Sequence, residues 1–364
     1  MAKGFNASGD LITQTVDGRP LDAIWAEMQA TMELWNAPRT NLMGFLTFPV
    51  TQPVEDVPQA VLEDFEEASE YGVPKSVRGA SFFSLAYDFK WYDLAERYTW
   101  RFLSQATAGQ VQQVHNMIFE ADNRLRFTKV MKTIFNNVNT TADIRTISYN
   151  VYKFYNADGT IPPAYKSNTF DGTHNHYITS GAGTIDGQDL VDLEALLTEH
   201  GYGPPNGGLI LMVNKAQTAT LRTLRVSTGS PYDFIPAQGQ PPFLLPTNTG
   251  GIAPAQQVAP TLSGLKVVGT FGSWTIIEEE YIPAGYIFGF ATGGVESVSN
   301  PIGFREHQQA DLRGLKLVKG PSPDYPLVDA YYTRGFGTGV RQRGAAAVMQ
   351  ITAAGAYTIP AAYQ

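Results

Sequence analysis

Residues 107–137, TAGQVQQVHNMIFEADNRLRFTKVMKTIFNN, decide how the rest of the chain is read. Val111, Val114, Ile118, Ala121 and Leu125 recur at three- and four-residue steps, and Met131 with Ile134 or Phe135 carries the stripe onward. That is the period of a helix with one buried face. Gln112, Gln113, Asn116, Asp122, Asn123, Arg126, Lys129 and Lys132 fall mostly on the other side, and after Gly109 no Gly or Pro interrupts the run. Thr107 or Gly109 caps the start, and the Asn- and Thr-rich residues 136–141 end it. At ~1.5 Å per residue the helix is about 40 Å long. A strut of that length needs a large surface to lie against, and taken alone it is the core helix of an α+β domain.

Composition narrows the partners. The 364 residues suffice for two or three domains or one large elaborated one. With 26 basic and 34 acidic residues the net charge is -8, and no basic cluster offers a nucleic-acid-binding face. Charged residues are 16% of the chain, against a usual ~25%, while aromatics, Gly and Pro are plentiful. Surplus aromatic surface of this kind is what interfaces use. The lack of cysteine excludes disulfides, thiolate nucleophiles and Cys-ligated zinc. No apolar run follows Lys3, and nowhere do ~18 apolar residues follow one another, so a soluble protein made in a cytoplasm, with no membrane partner, is expected.

Around the strut, the first ~20 residues read as an extended arm. Residues 20–36 read as a helix with Leu21, Ile24 or Trp25, Met28, Met32 and Trp35 on one face, ended by Pro38. That stripe packs within the subunit or docks on a neighbour. Residues 41–57 are Pro-punctuated and read as extended, and Glu63, Asp64, Glu66, Glu67 and Glu70 as a solvated helical face. Residues 73–103 suggest a two-stranded ribbon just ahead of the strut, which needs cover because an isolated hairpin is marginal in water. Residues 143–155 read as one strand, 156–159 as a turn, and 161–183 as a long exposed loop. Residues 186–200 read as a helix closed by Gly201, LILMVN as a buried strand, and residues 215–225 as a second helix, together a small separate inserted α/β domain. Residues 229–260 read as loop, 265–290 as strands with a turn at 282–285, and 344–349 as a strand or helix packed very closely.

Chemistry finds little purchase. His174 and His176 have metal-ligand spacing on a strand, but no third ligand follows at a characteristic distance, and His115, His200 and His307 lie far away in sequence. They are expected to be loop histidines making ordinary hydrogen bonds, with no metal and no cofactor. Asp171 beside them is a candidate carboxylate partner. No phosphate loop, nucleophile elbow or dinucleotide fingerprint is present, so no enzyme is expected.

The order of parts resembles the major capsid proteins of tailed bacteriophages, the Hong Kong 97-type shell fold. The likeness is carried by an arm, a ribbon before a long strut, a strand group, an α/β unit holding HGYGPPNGGLILMVN, then IPAGYIFGFA and a closing RQRGAAAVMQI strand. It implies an α+β fold with an N-arm (1–58), an E-loop region (59–104), a peripheral domain with the spine helix (105–159), an axial domain (160–299) and a return to the peripheral domain (300–364). It implies a virion shell protein that tiles itself as hexamers and pentamers into an icosahedral head around non-specifically packaged DNA. Assembly would occur in the host cytoplasm, with scaffold, portal and decoration proteins as further partners. Trp25, Trp35, Arg78, Phe82, Phe83, Arg341 and Arg343 are the candidate subunit contacts. Some shells of this family are welded from an E-loop Lys to a carboxy-terminal Asn. Lys75 or Lys90 offers the amine here, but no Asn follows Asn300, so an uncrosslinked shell is expected. Competing readings are an encapsulin-like nanocompartment, a tail or decoration protein, and a metal-dependent hydrolase using His174 and His176.

Overall fold

The structure, a computed structural model, describes residues 14–37, 42–59, 65–68, 70–73, 76, 81–237, 261–262, 265–319 and 327–364. Glu63, Asp64, Lys75, Arg78, the start of the arm and residues 238–260 lie outside them. The helices are α1 (Leu21–Asn36), α2 (Leu42–Leu46), α3 (Trp100–Leu103), α4 (Ala108–Phe135), α5 (Gly187–Thr198) and α6 (Lys215–Leu221). The strands are β1 (Thr47–Val50), β2 (Val54–Gln59), β3 (Ser81–Ala86), β4 (Lys90–Thr99), β5 (Thr140–Ile144), β6 (Ile147–Val151), β7 (Tyr177–Thr179), β8 (Gly208–Val213) and β9 (Ile235–Pro236). They continue as β10 (Thr261–Leu262), β11 (Leu265–Phe271), β12 (Trp274–Glu278), β13 (Tyr286–Thr292), β14 (Ile302–Glu306), β15 (Leu315–Lys319), β16 (Leu327–Val340) and β17 (Ala346–Gln350). The chain divides into two compact units, one of Met1–Arg39, Asp88–Lys129 and Arg305–Gly337, the other of Thr40–Tyr87, Val130–Phe304 and Thr338–Gln364.

In the first unit β16 runs antiparallel to both β4 and β15, with Leu327 opposite Thr99 on one edge and Leu315 opposite Arg334 on the other. The apolar face of α1 buries Leu21, Ile24, Trp25, Met28 and Met32. These pack with Tyr98, Val328 and Tyr332 of the sheet and with Val111, Ile118 and Phe119 of α4. The expected strut is thus present as α4, but its buried line differs. It runs through Val111, His115, Ile118 and Asp122, while Val114, Ala121 and Leu125 are only half-buried. A polar residue can occupy a buried helix position when its hydrogen bonds are satisfied there, and His115 and Asp122 both have buried ionic partners.

The second unit is built on an eight-stranded sheet in the order β10-β11-β12-β8-β13-β17-β7, with β9 added to β11. The run LILMV forms β8, parallel to β12 and antiparallel to β13. Residues 186–225 therefore do not make a separate inserted domain. A strand buried on both faces needs neighbours on both edges, and β13, buried throughout, obtains its second neighbour from β17 near the chain end. Residues 344–349, whose small side chains suit a strand or a helix, supply that strand, which also pairs in parallel with β7. Helix α5 starts in a capping box, in which Asp186 accepts from Asp189 N at 3.0 Å and the Asp189 carboxylate accepts from Asp186 N at 2.8 Å. Its Leu190, Leu193 and Leu197 pack on the sheet around Trp274.

Four local expectations are corrected. The ribbon forms between β2 and β3, with Val54 opposite Ala86, and β4 pairs elsewhere. Residues 143–155 are not one strand, because β5 and β6 make a hairpin whose turn holds Arg145 at φ 51° and Thr146 at φ 70°. Two positive φ values match the twist of a tight hairpin, a position usually marked by Asn or Gly. Within residues 41–57 the fully buried LMGFL segment forms α2, whereas Glu66 and Glu67 lie in no helix and are exposed.

Candidate functional site

The candidate contact residues occupy different environments. Trp25 is 5% exposed, and its indole N–H donates to Glu96 Oε1 at 2.7 Å. The half-buried Trp35 donates to Asp122 Oδ2 at 2.9 Å and lies against Phe119. Both tryptophans thus find partners within their own unit. Arg341 Nε donates to Glu55 at 2.7 Å, and Arg343 donates to the Lys153 carbonyl at 2.8 Å and to Asp158 at 2.7 Å. Phe83 packs against Tyr152 with ring centroids 4.5 Å apart. Phe82, its neighbour on the ribbon, is 65% exposed. Three other large apolar side chains of the same stretch are barer still: Phe65, Tyr71 at 92% and Val73 at 93%.

Among the described residues of the first unit, the carboxylates of Glu96 and Asp122 are buried. Glu96 accepts from Trp25 and, through Oε2, from the hydroxyls of Tyr98 at 3.0 Å and Tyr332 at 3.3 Å, with His115 Nε2 at 3.1 Å. Burial, with Glu96 alongside, pushes both phenols up. Asp122 accepts from Arg334 Nη1 at 2.9 and 3.1 Å, with Arg126 Nε at 3.3 Å. These networks satisfy charge inside the fold, and Asp122, Tyr332 and Arg334 also line a cavity beside α4.

The histidines of the second unit are drawn together. His174 and His176 lie on the extended segment entering β7, and His200 follows the last turn of α5 just before Gly201, whose φ of 85° ends the helix. The Nε2 atoms are 3.0 Å apart for His174 and His176, 2.9 Å for His174 and His200, and 3.1 Å for His176 and His200. Glu199 Oε1 stands 3.4 Å from His174 Nε2 and 4.0 Å from His200 Nε2. Phe170 and Tyr155 stack on the His200 ring. Burial depresses all three imidazoles, His200 to about 3. The expectation of isolated loop histidines is therefore corrected. The third imidazole was missed because it stands at the end of a helix, 24 residues on from His176. Asp171 spends its hydrogen bonds on Thr173 N at 2.8 Å and Thr173 Oγ1 at 2.6 Å and acts on His174 through its charge alone. The carboxylate at the cluster is Glu199, adjacent in sequence to His200 and for that reason inconspicuous.

No protein-family model matches the sequence, and a search of curated proteins finds no match. Solved structures do match. One from Mycobacterium phage Patience is 44% identical, with a TM-score of 0.75 over 100% of this chain and 97% of the other. The capsid of an empty GTA particle has 13% identity and a TM-score of 0.50 over 86% of this chain and 91% of its own. The mature capsid of bacteriophage PhiM1 has 11% identity and a TM-score of 0.50 over 86% and 87%. At those identities the last two speak to fold alone.

Proposed function

This chain belongs to the major capsid proteins of tailed bacteriophages, with the Hong Kong 97-type fold, and from that membership we propose how its parts serve the shell. It self-assembles as pentamers and hexamers into the icosahedral head that encloses the phage genome. The work is done by surfaces and needs no catalysis. Residues 1–58 act as the N-arm, 59–104 as the E-loop region, 105–159 as the peripheral domain with α4 as spine, 160–299 as the axial domain, and 300–364 as the return segment. Scaffold, portal and decoration proteins are the further partners. DNA is held without sequence preference, and the net charge of -8 suits a container that must pack DNA without gripping it. Assembly takes place in the host cytoplasm.

The observation that supports this reading most directly is the bare apolar surface between β2 and β3. A two-stranded ribbon is marginally stable alone, and four large apolar side chains exposed within one short stretch, Phe65, Tyr71, Val73 and Phe82, exceed the scatter expected of a solitary subunit. Laid on a neighbouring subunit, each contributes roughly 1.5–3 kcal/mol of apolar burial, repeated at every contact of the lattice. Head-to-tail contacts of this kind close into rings. The test replaces Phe65, Tyr71 and Phe82 with Ser together. The subunit is expected to keep its stability within about 0.5 kcal/mol per site, as exposed substitutions do, and to yield no particles by electron microscopy. Particles at wild-type yield contradict the reading.

A further inference from the structure

The histidine cluster of the second unit has no role in the shell mechanism above, and hydrogen bonding does not account for it. His176 Nδ1 sits 2.8 Å from the Ala346 carbonyl, which can only accept, so Nδ1 carries the proton and Nε2 presents a lone pair. The three Nε2 atoms make a triangle with sides of 2.9, 3.0 and 3.1 Å. Satisfying all three sides needs a proton along each, yet each nitrogen carries at most one, and that of neutral His176 carries none. If His174 donates to His200, the His176 and His200 lone pairs oppose one another; if both donate to His176, their own protons oppose. The fourth member, Glu199 Oε1, is buried and has no hydrogen-bond donor among the described residues.

A cation at the centre removes every one of these conflicts. A tetrahedral ion with metal–nitrogen bonds of about 2.0–2.1 Å holds its nitrogens about 3.3 Å apart, so the triangle need open by only a few tenths of an ångström. Glu199 Oε1 stands over it at 3.4 and 4.0 Å from two of its corners, as the fourth ligand should. The Ala346 carbonyl orients His176 in the manner of an outer-shell partner. We propose that His174, His176, His200 and Glu199 form a closed structural site for a divalent transition metal, with Zn²⁺ as the best match to three imidazoles and a carboxylate.

Four protein ligands leave no open coordination position, so the ion fastens and does not catalyse. It joins the segment entering β7 to the end of α5, and through His176 reaches β17, in a chain with no cysteine to staple it. The inference stands apart from the shell reading, and its failure leaves that reading intact.

The test uses assembled particles or full-length subunits, stripped with a chelator and then equilibrated with Zn²⁺ alone. Metal analysis is expected to find about one zinc per chain, released on chelation with a fall in the melting temperature. Loading with Co²⁺ is expected to give the visible absorption of a tetrahedral site. His174→Gln and Glu199→Gln, at the two more exposed ligands, are expected to bind Zn²⁺ more than about tenfold more weakly while still folding. His307→Ala, outside the cluster, binds as wild type. Fewer than about one zinc per ten wild-type chains, or Zn²⁺ binding by His174→Gln equal to wild type, or an equal loss in His307→Ala, overturns the proposal.

Discussion

Replacing Arg334 with Ala tests how the first unit is held together. The Arg334 and Asp122 side chains are 6% and 3% exposed and lie 2.9 Å apart, joining β16 to α4. Removing one partner of a buried pair costs about 3–5 kcal/mol, because the remaining charge loses its compensation. Asp122 keeps the Trp35 indole at 2.9 Å and Arg126 at 3.3 Å, which places the loss at the lower end, about 3 kcal/mol. For a chain of this size that lowers the melting temperature of dissociated subunits by about 4 °C. Adding Asp122→Asn removes the orphaned charge while leaving an oxygen for Trp35, and is expected to recover most of the loss. The measurement is a double-mutant cycle in urea. A single-variant loss below about 1 kcal/mol, or a double variant no more stable than Arg334→Ala, refutes the reasoning.

Other consequences are as open to measurement. A Cβ at Gly289 of β13 would stand 2.6 Å from Trp274 and 2.9 Å from Leu193, so Gly289→Val is expected to cost about 1–3 kcal/mol by overpacking; an unchanged urea midpoint contradicts this. Burial pushes the Asp158 carboxyl up, but Arg343 and the hydrogen bonds from Thr160 and Asn139 outweigh it and hold the group below its ordinary value. Its ionised form therefore contributes stability fully above the unfolded value near 3.8, and that contribution is lost as pH falls through the lower folded value. Asp158→Asn should flatten the acid limb of stability against pH, and an unaltered limb speaks against the pairing. With no Asn after Asn300, boiled particles should run as a single monomer band in SDS electrophoresis, whereas a ladder of covalent multimers contradicts an uncrosslinked shell.

The elements legible from sequence were those whose signal is local and repeated. The spacing of Leu21, Ile24, Met28 and Met32 fixed α1, the unbroken periodicity before the Asn-rich cluster fixed α4, and the apolar LILMV fixed β8. The turn at Gly285, φ 82°, follows from its Pro and Gly. What escaped depends on pairing between distant residues. Nothing near Asp122 or His115 announces that Arg334 and Glu96 will pair with them inside the fold, so the apolar periodicity marks a different buried line on α4. The partner of β3 lies in β2, upstream of residues 73–103, and alternation within a strand does not name its partner. The β5–β6 turn was hidden because Arg145 and Thr146 adopt a conformation that Asn or Gly normally signals. The histidine cluster shows the same gap, since His174–Asn175–His176 was visible as a spacing but Glu199 and His200 reach it only through the way α5 packs on the sheet.

That this chain is a shell subunit is tested most directly by electron microscopy of the purified protein under assembly conditions. Closed icosahedral particles resolved into pentamers and hexamers, with the ribbon of each subunit lying on its neighbour, are the predicted result. A protein that stays monomeric at every concentration, or particles in which Phe82 faces solvent, would contradict it.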